Sequence, residues 1–294
     1  MSEIVVKKKK KKVKVFPIVN AIIFILISLI ILVPMWKVIV DSFDARAGYG
    51  MLFWPQVFSI NGYKEVITNA VLYKPFLISV FVTAVGSLLG LTLATLGAYV
   101  LIQYEMPGRN FFANMLLFTM IFNGGMIPTY LVMKNLHLLN TLGAVIFPLA
   151  INVYNLVLMR NFFEGIPGSL FEAAQIDGCS PMGIFFKIVL PLSKAAIASI
   201  GLMFMVTFWN DYTNFKIYIN DNSLFNFQIK LRSLVMDNDM PDVGGVDPNT
   251  VKNAATIVAI LPFMIMYPFL QDYFVQGVNV GCLLYTSDAA DDKA

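Results

Sequence analysis

The chain is predicted to be an all-α, polytopic membrane protein with six transmembrane helices and a cytoplasmic helix pair, and three observations predict it. Apolar residues make up 58% of the sequence and charged residues 13%, against roughly 45–50% and about 25% in soluble domains. Mean hydropathy is +0.72. Six apolar stretches reach the roughly 20 residues that a helix needs to cross the hydrocarbon core. One soluble core could not hide that much apolar surface from water. Inside a bilayer, only segments that satisfy their own backbone hydrogen bonds are tolerated.

Composition also excludes several chemistries. The net charge of +3 comes from a lysine run, Lys7 to Lys12 with Lys14, and implies no nucleic-acid partner. Two cysteines, Cys179 and Cys282, are too few for a disulfide framework or a metal site. A single histidine, His137, removes most histidine-based metal and acid–base chemistry. No G-x-x-x-x-G-K-[ST] phosphate loop occurs, so ATP hydrolysis is not expected on this chain. A membrane enzyme would need clustered catalytic groups, which the scattered carboxylates do not supply.

In order along the chain, residues 1–15 form a basic N-terminus whose lysines favour the cytoplasmic face. Residues 16–40 read as a retained first transmembrane helix, long for a signal peptide and without its small-residue cleavage pattern. Residues 41–74 read as an extracellular loop whose NGYKEVITNAVLY stretch forms an interfacial helix. Further spans are predicted at 75–102, 110–132, 139–162, 188–209 and 253–274. Six crossings place both termini, 103–110 and 169–192 in the cytoplasm, and 210–252 outside. Pro148, Pro262 and Pro268 are expected to kink their helices. The span centres carry no Asp, Glu, Lys or Arg, whereas ion-driven carriers rely on such groups. A secondary carrier would also show internal repeats or interrupted helices with ionisable partners, and neither is read here.

Residues 169–192, SLFEAAQIDGCSPMGIFFKIVLPL, spell helix, turn, helix. Ser169 with Glu172 three positions on can form a capping box. Asp177-Gly178 ends the first helix, glycine tolerating the positive φ of a sharp turn. Ser180 caps a second helix, with Pro181 in its first turn, where a missing N–H costs nothing. Ile184, Phe185, Ile188 and Val189 then make one apolar stripe. Ala173 and Ala174 allow another backbone to approach, and Phe185 and Phe186 can anchor a contact. In the plainer reading Glu172 only caps and Asp177 only complements a helix dipole, each worth about 0.3–1 kcal/mol.

The segment EAAQIDGCSPMGIFFKIVLP resembles the EAA loop of permease subunits in bacterial ABC importers, with Glu172, Ala173, Ala174, Asp177, Gly178, Ile188, Leu190 and Pro191 on the pattern. Cys179 stands where alanine is usual. Six spans with the loop between the fourth and fifth look like the carbohydrate-uptake branch typified by maltose permeases. Across 75–276 the resemblance implies an ABC-importer transmembrane domain of the bacterial plasma membrane, one half of a pathway for a sugar or oligosaccharide. It implies coupling to a separate ABC ATPase dimer through Glu172, Ala173, Ala174, Asp177, Gly178, Phe185, Phe186 and Pro191. ATP and Mg would bind on that partner, and this chain would hold no cofactor and no metal. It further implies a second homologous permease subunit and an extracellular solute-binding protein facing 210–252, where Asp237, Asp239 and Asp242 could meet a basic patch. An ABC permease for a polyamine or amino acid is the alternative, with a secondary carrier behind it. The neutral spans favour an uncharged sugar over a polyamine, which would want carboxylates.

Sugars bind through amides, hydroxyls and an aromatic face. Candidate pathway residues are therefore Asn123 beside Gly124-Gly125, Asn152, Tyr154, Asn155, Trp209 and Asn210. Asparagine also serves as glue between membrane helices, at around 0.6 kcal/mol per contact, and Trp209 fits an interfacial aromatic belt. From Cys282 onward the acidic, small-residue tail 282–294 departs from the family pattern. It is expected to be foreign to the native protein and without function.

Overall fold

The computed structural model describes residues 15–47, 50, 53–103, 105–237 and 243–291. The lysine run, Asp239 and Asp242 lie outside them. Helix α1 (Val15–Ser42) exposes the side chains along most of its length. Only its end is seated, where Val40, Ser42, Asp44 and Ala47 are buried. The Asp44 carboxylate accepts from the backbone N–H groups of Arg46, Gln56 and Val57 at 3.0, 2.7 and 3.2 Å, which ties the following loop back on itself. Of the NGYKEVITNAVLY stretch only Asn61–Thr68 forms the short helix α2, and Ala70 onward already belongs to the next helix.

Helix α3 (Ala70–Ile102) is the central post. Asn69 caps it by accepting from the Val71 N–H at 3.0 Å, and its 33 residues span about 50 Å. Two bent pairs follow. Helices α4 (Arg109–Ile121) and α5 (Met126–Asn135) meet at 115°. Helices α6 (Gly143–Ala150) and α7 (Val153–Glu164) meet at 40°. Then come the short α8 (Gly168–Ile176) and α9 (Pro181–Ile184), a π turn over Phe185–Val189, and α10 (Leu190–Leu192). The run Pro181–Leu192 meets α11 (Lys194–Trp209) at 82°. Short helices α12 (Thr213–Tyr218) and α13 (Phe227–Arg232) precede the last long helix, α14 (Pro248–Asp291). Three continuous helices and three bent pairs give up to six crossings, the predicted number.

Three of the predicted spans are not continuous, 139–162 breaking at Ile151-Asn152 between α6 and α7. The stretch 110–132 turns at Phe122–Gly125, because Gly125 adopts a φ of 91° and the Asn123 side chain accepts from its N–H at 2.9 Å. The stretch 188–209 bends at Ser193, leaving α11 with 16 residues, about 24 Å. Interrupted helices, expected to be absent, are thus present. The α4–α5 and α6–α7 breaks carry no ionisable residue, so they lack the partners that an ion-driven carrier would need. Pro148 stands three residues before the second break. Pro262 and Pro268 sit inside α14 without interrupting it.

The core forms where α3 meets α11. Gly86 and Gly90, one turn apart on α3, receive the rings of Phe208 and Phe204, and a Cβ at these glycines would lie 2.5 and 2.6 Å from those rings. Both rings are fully buried. Small residues four apart that let large neighbours approach closely are how helices pack without a hydrophobic drive between them.

Candidate functional site

The first candidate is the elbow between α8 and α9. Helix α8 ends in a Schellman motif. The Cys179 N–H donates to the Ala174 carbonyl at 2.9 Å and the Gly178 N–H to the Gln175 carbonyl at 3.0 Å. Gly178 adopts a φ of +74°, the left-handed conformation its position requires. Ser180 then caps α9, its hydroxyl accepting from the Gly183 N–H at 3.2 Å, with Pro181 at the first helical position. The sequence-predicted turn and second cap are both present. The first cap is not. Helix α8 starts at Gly168 behind Pro167, Ser169 lies within its first turn, and no side chain caps it. Glu172 is instead exposed and lines a 390 Å³ cavity with Glu105, Glu164 and Gln175.

The elbow is bolted to α3. The Tyr99 hydroxyl donates to the Pro181 carbonyl at 2.7 Å, and the Tyr99 and Phe185 rings lie 4.9 Å apart. Phe185 is only 3% exposed, so it is core and not a docking anchor. The stripe of Ile184, Phe185 and Val189 is buried, with Ile188 packed against it. Phe186 faces outward at 59% exposure. Ala174 is buried, whereas Ala173, Asp177, Gly178 and Pro191 are exposed. A further tie runs from the start of α4 back to α3. There Arg109 donates to the Leu101 carbonyl at 2.6 Å and pairs with Glu164, which also pairs with Arg160 at 2.8 Å.

Sequence reasoning missed the residue that dominates this surface. Ile176 is 86% exposed, on the same face of α8 as Leu170 and Ala173, and Met182 is exposed across the turn. The signal was legible: apolar residues at 170, 173 and 176 repeat every three positions beside the half-buried Phe171 and the buried Ala174. Together Leu170, Ile176, Met182 and Phe186 give the elbow an apolar outer surface.

The second candidate is a 330 Å³ pocket between α7 and α11, lined by Asn152, Tyr154, Asn155, Met203, Val206 and Thr207 among others. The break after α6 builds it. Asn152 caps α7 by accepting from the Asn155 N–H at 3.0 Å, which places both amides and Tyr154 at one helix start. Three of the six predicted pathway residues therefore meet here. Asn123 belongs to the α4–α5 corner, and the Asn210 amide donates to the Val206 carbonyl at 3.0 Å. Trp209 is neither a sugar platform nor a belt residue. It is buried, donates to the Ala259 carbonyl at 3.0 Å and packs edge-on against Phe76 and Phe263. Among the described residues no group of three or more His, Cys, Asp or Glu side chains could hold a metal.

The family described as binding-protein-dependent transport system inner membrane component matches residues 11–280, ending just before the divergent tail. The chain is 41% identical over 268 residues to the polygalacturonan/rhamnogalacturonan transport system permease protein YtcP of Bacillus subtilis (strain 168), covering 87% of this chain and 94% of that protein. It is 37% identical to Protein LplC of the same organism, covering 96% and 99%. Among solved structures, a bacterial ABC transporter involved in the import of the acidic polysaccharide alginate contains a chain that superposes with a TM-score of 0.84 at 29% identity, covering 92% of this chain and 100% of that one. With its apolar bundle of broken and continuous spans, the chain is a multi-pass membrane permease subunit and belongs to the binding-protein-dependent transport system inner membrane component family.

Proposed function

We propose that this permease subunit forms half of the membrane pathway of an ATP-driven importer for a sugar or oligosaccharide. Its relatives include permeases named for polygalacturonan/rhamnogalacturonan and for arabinooligosaccharides, which favours a saccharide over a polyamine or amino acid. The other half of the pathway is a second, homologous permease subunit. ATP and Mg bind on a separate ATPase dimer, and an extracellular binding protein delivers the substrate. The N-terminus and the α8–α9 elbow lie in the cytoplasm. There Ala173, Asp177, Phe186 and Pro191, with Ile176 and Met182 added, form the surface that enters the ATPase, and Gly178 sets the turn that presents it. Glu172 stands beside that surface, while Ala174 and Phe185 hold its underside. On the membrane side, Asn152, Tyr154 and Asn155 line the sugar's route beside Thr207.

The observation that carries this reading is the exposed apolar face of a glycine-locked elbow in a member of this family. Contiguous exposed apolar patches mark the surfaces on which proteins interact. The direct test is an Ile176→Glu, Phe186→Ala double variant in the complete importer, reconstituted in proteoliposomes. The subunit should still reach the membrane and pair with its permease partner, while the ATPase no longer copurifies and saccharide import is lost. Retention of ATPase and import by that variant would refute the assignment.

A further inference from the structure

At the far end of α3 from the elbow lies a 570 Å³ cavity, within the range that holds drug-sized ligands. Its walls are the first turns of α3, the segment around α12 and the turn of chain after α13. Among the described residues four cations line it, Lys74, Lys216, Lys230 and Arg232, against one carboxylate, Asp237. Among the described residues no acidic side chain forms a salt bridge with Lys74, Lys216 or Arg232. The Arg232 guanidinium lies 4.5 Å over the Tyr212 ring, and Tyr212 lines the same cavity. That stacking holds the planar fork in one orientation, which suits bidentate contact with a carboxylate. Asn222 and Ser223 add hydrogen-bonding groups on one side.

We infer that this cavity binds the carboxylates of a uronic-acid-bearing oligosaccharide at the outer mouth of the pathway. The inference rests on the proposed sugar-import function and deepens it: the neutral spans alone suggested an uncharged sugar, while the mouth is built for an anionic one. Several like charges around one cavity focus the field there and raise the local concentration of an arriving anion. The amide of Asn222 and the hydroxyl of Ser223 address the sugar's hydroxyls.

The test uses the assembled transporter in nanodiscs, without the binding protein, and tetragalacturonate as the probe. Wild type should bind it, and binding should weaken steeply as NaCl rises from about 0.05 to 0.5 M. Lys216→Gln with Arg232→Gln should raise Kd by at least about tenfold, since two charge-assisted contacts are lost. Fully methyl-esterified tetragalacturonate should bind wild type and variant alike, and weakly. Equal binding of the acid by wild type and variant would overturn the inference, as would tighter binding of glucose 1-phosphate than of the uronate. So would a variant that binds the uronate normally and loses only stimulation by the binding protein, which would make the patch a protein-docking surface. If the wild-type importer with its binding protein carried no saccharide at all, the underlying sugar reading would fail instead, whatever the cavity binds.

Discussion

Substitution of Gly178 tests the elbow through its backbone alone. At φ +74°, an added Cβ would meet no atom within 4 Å, so a side chain there clashes with nothing in this chain and the whole penalty is conformational. For an L-residue that penalty is about 1–2 kcal/mol, smaller for asparagine and larger for a β-branched residue. Opposing it are the two Schellman hydrogen bonds, each worth about 1 kcal/mol net. Gly178→Ala should therefore leave the elbow mostly formed, Gly178→Asn should be close to wild type, and Gly178→Val should open it. Because about 1.4 kcal/mol is a factor of ten, alanine should lower ATPase affinity several-fold and valine by well over tenfold. Membrane insertion should be unchanged throughout. The assay is ATPase copurification with the permease pair, read beside binding-protein-stimulated hydrolysis. The order asparagine, alanine, valine is diagnostic: if the ATPase occupied the space beside Gly178, asparagine would be worse than alanine. Full coupling in Gly178→Val, or asparagine as damaging as valine, would refute the backbone argument.

Two further predictions concern the bundle. Gly86→Ala places a Cβ 2.5 Å from the buried Phe208 ring, an overpacking that costs about 1–3 kcal/mol. It should lower Tm in detergent by several degrees, and Phe208→Leu in the same chain should recover part of the loss; an unchanged Tm in the single variant would argue against the close α3–α11 contact. Asp211, just past α11, has its carboxyl pushed up to about 6 by burial, against the opposing hydrogen bonds from Asn214. Its Oδ2 is buried with no partner among the described residues. A raised folded pKa favours the protonated native state, so this contribution is complete below about pH 4 and is lost as pH rises through about 6, to an upper bound of about 3 kcal/mol. Asp211→Asn should flatten the fall in Tm between pH 5 and pH 7.5 and raise Tm at the higher value; a wild-type Tm that climbs over that interval would contradict the sign.

What could be read in the sequence was what depends on near neighbours. Gly178 and Ser180-Pro181 act through bonds three to five residues long, and the turn and cap they encode are the ones found. The span count followed from apolar length. The capping box at Ser169 was legible and absent, because the helix already begins at Gly168, with Pro167 in the flanking position. Phe185 and Phe186 were indistinguishable as adjacent aromatics. Only Tyr99, some eighty residues away, decides which of them is buried. Trp209 was misread for the same reason, since its partner is a carbonyl on α14. The break at Asn123-Gly124-Gly125 was written plainly in residues noticed for their polarity, when their turn chemistry was the stronger signal.

Under the proposed coupling, the connection from elbow to membrane has to be stiff, and the structure supplies two rigid joints in series. Pro181 and Phe185 fasten the elbow to Tyr99, near the end of α3. Phe204 and Phe208 fasten α11 into the glycine notches of the same helix. A movement imposed on the elbow therefore carries α3 and α11 together, because neither joint leaves room for a side chain to slip into a second packing. The Asn152–Tyr154 pocket has one wall on α11 and the other on α7, beyond the α6–α7 break. Helix α7 is fastened to the same post, since a Cβ at Gly97 would lie 2.8 Å from Leu156, so both walls of the pocket move with α3. Rigid units that pivot at a few backbone positions are the general form of such two-state switches. Shortening the lever is the decisive perturbation. Tyr99→Phe removes the hydroxyl's bond to Pro181 and keeps the ring's contact with Phe185, so it should leave the ATPase bound while lowering the saccharide moved per ATP hydrolysed.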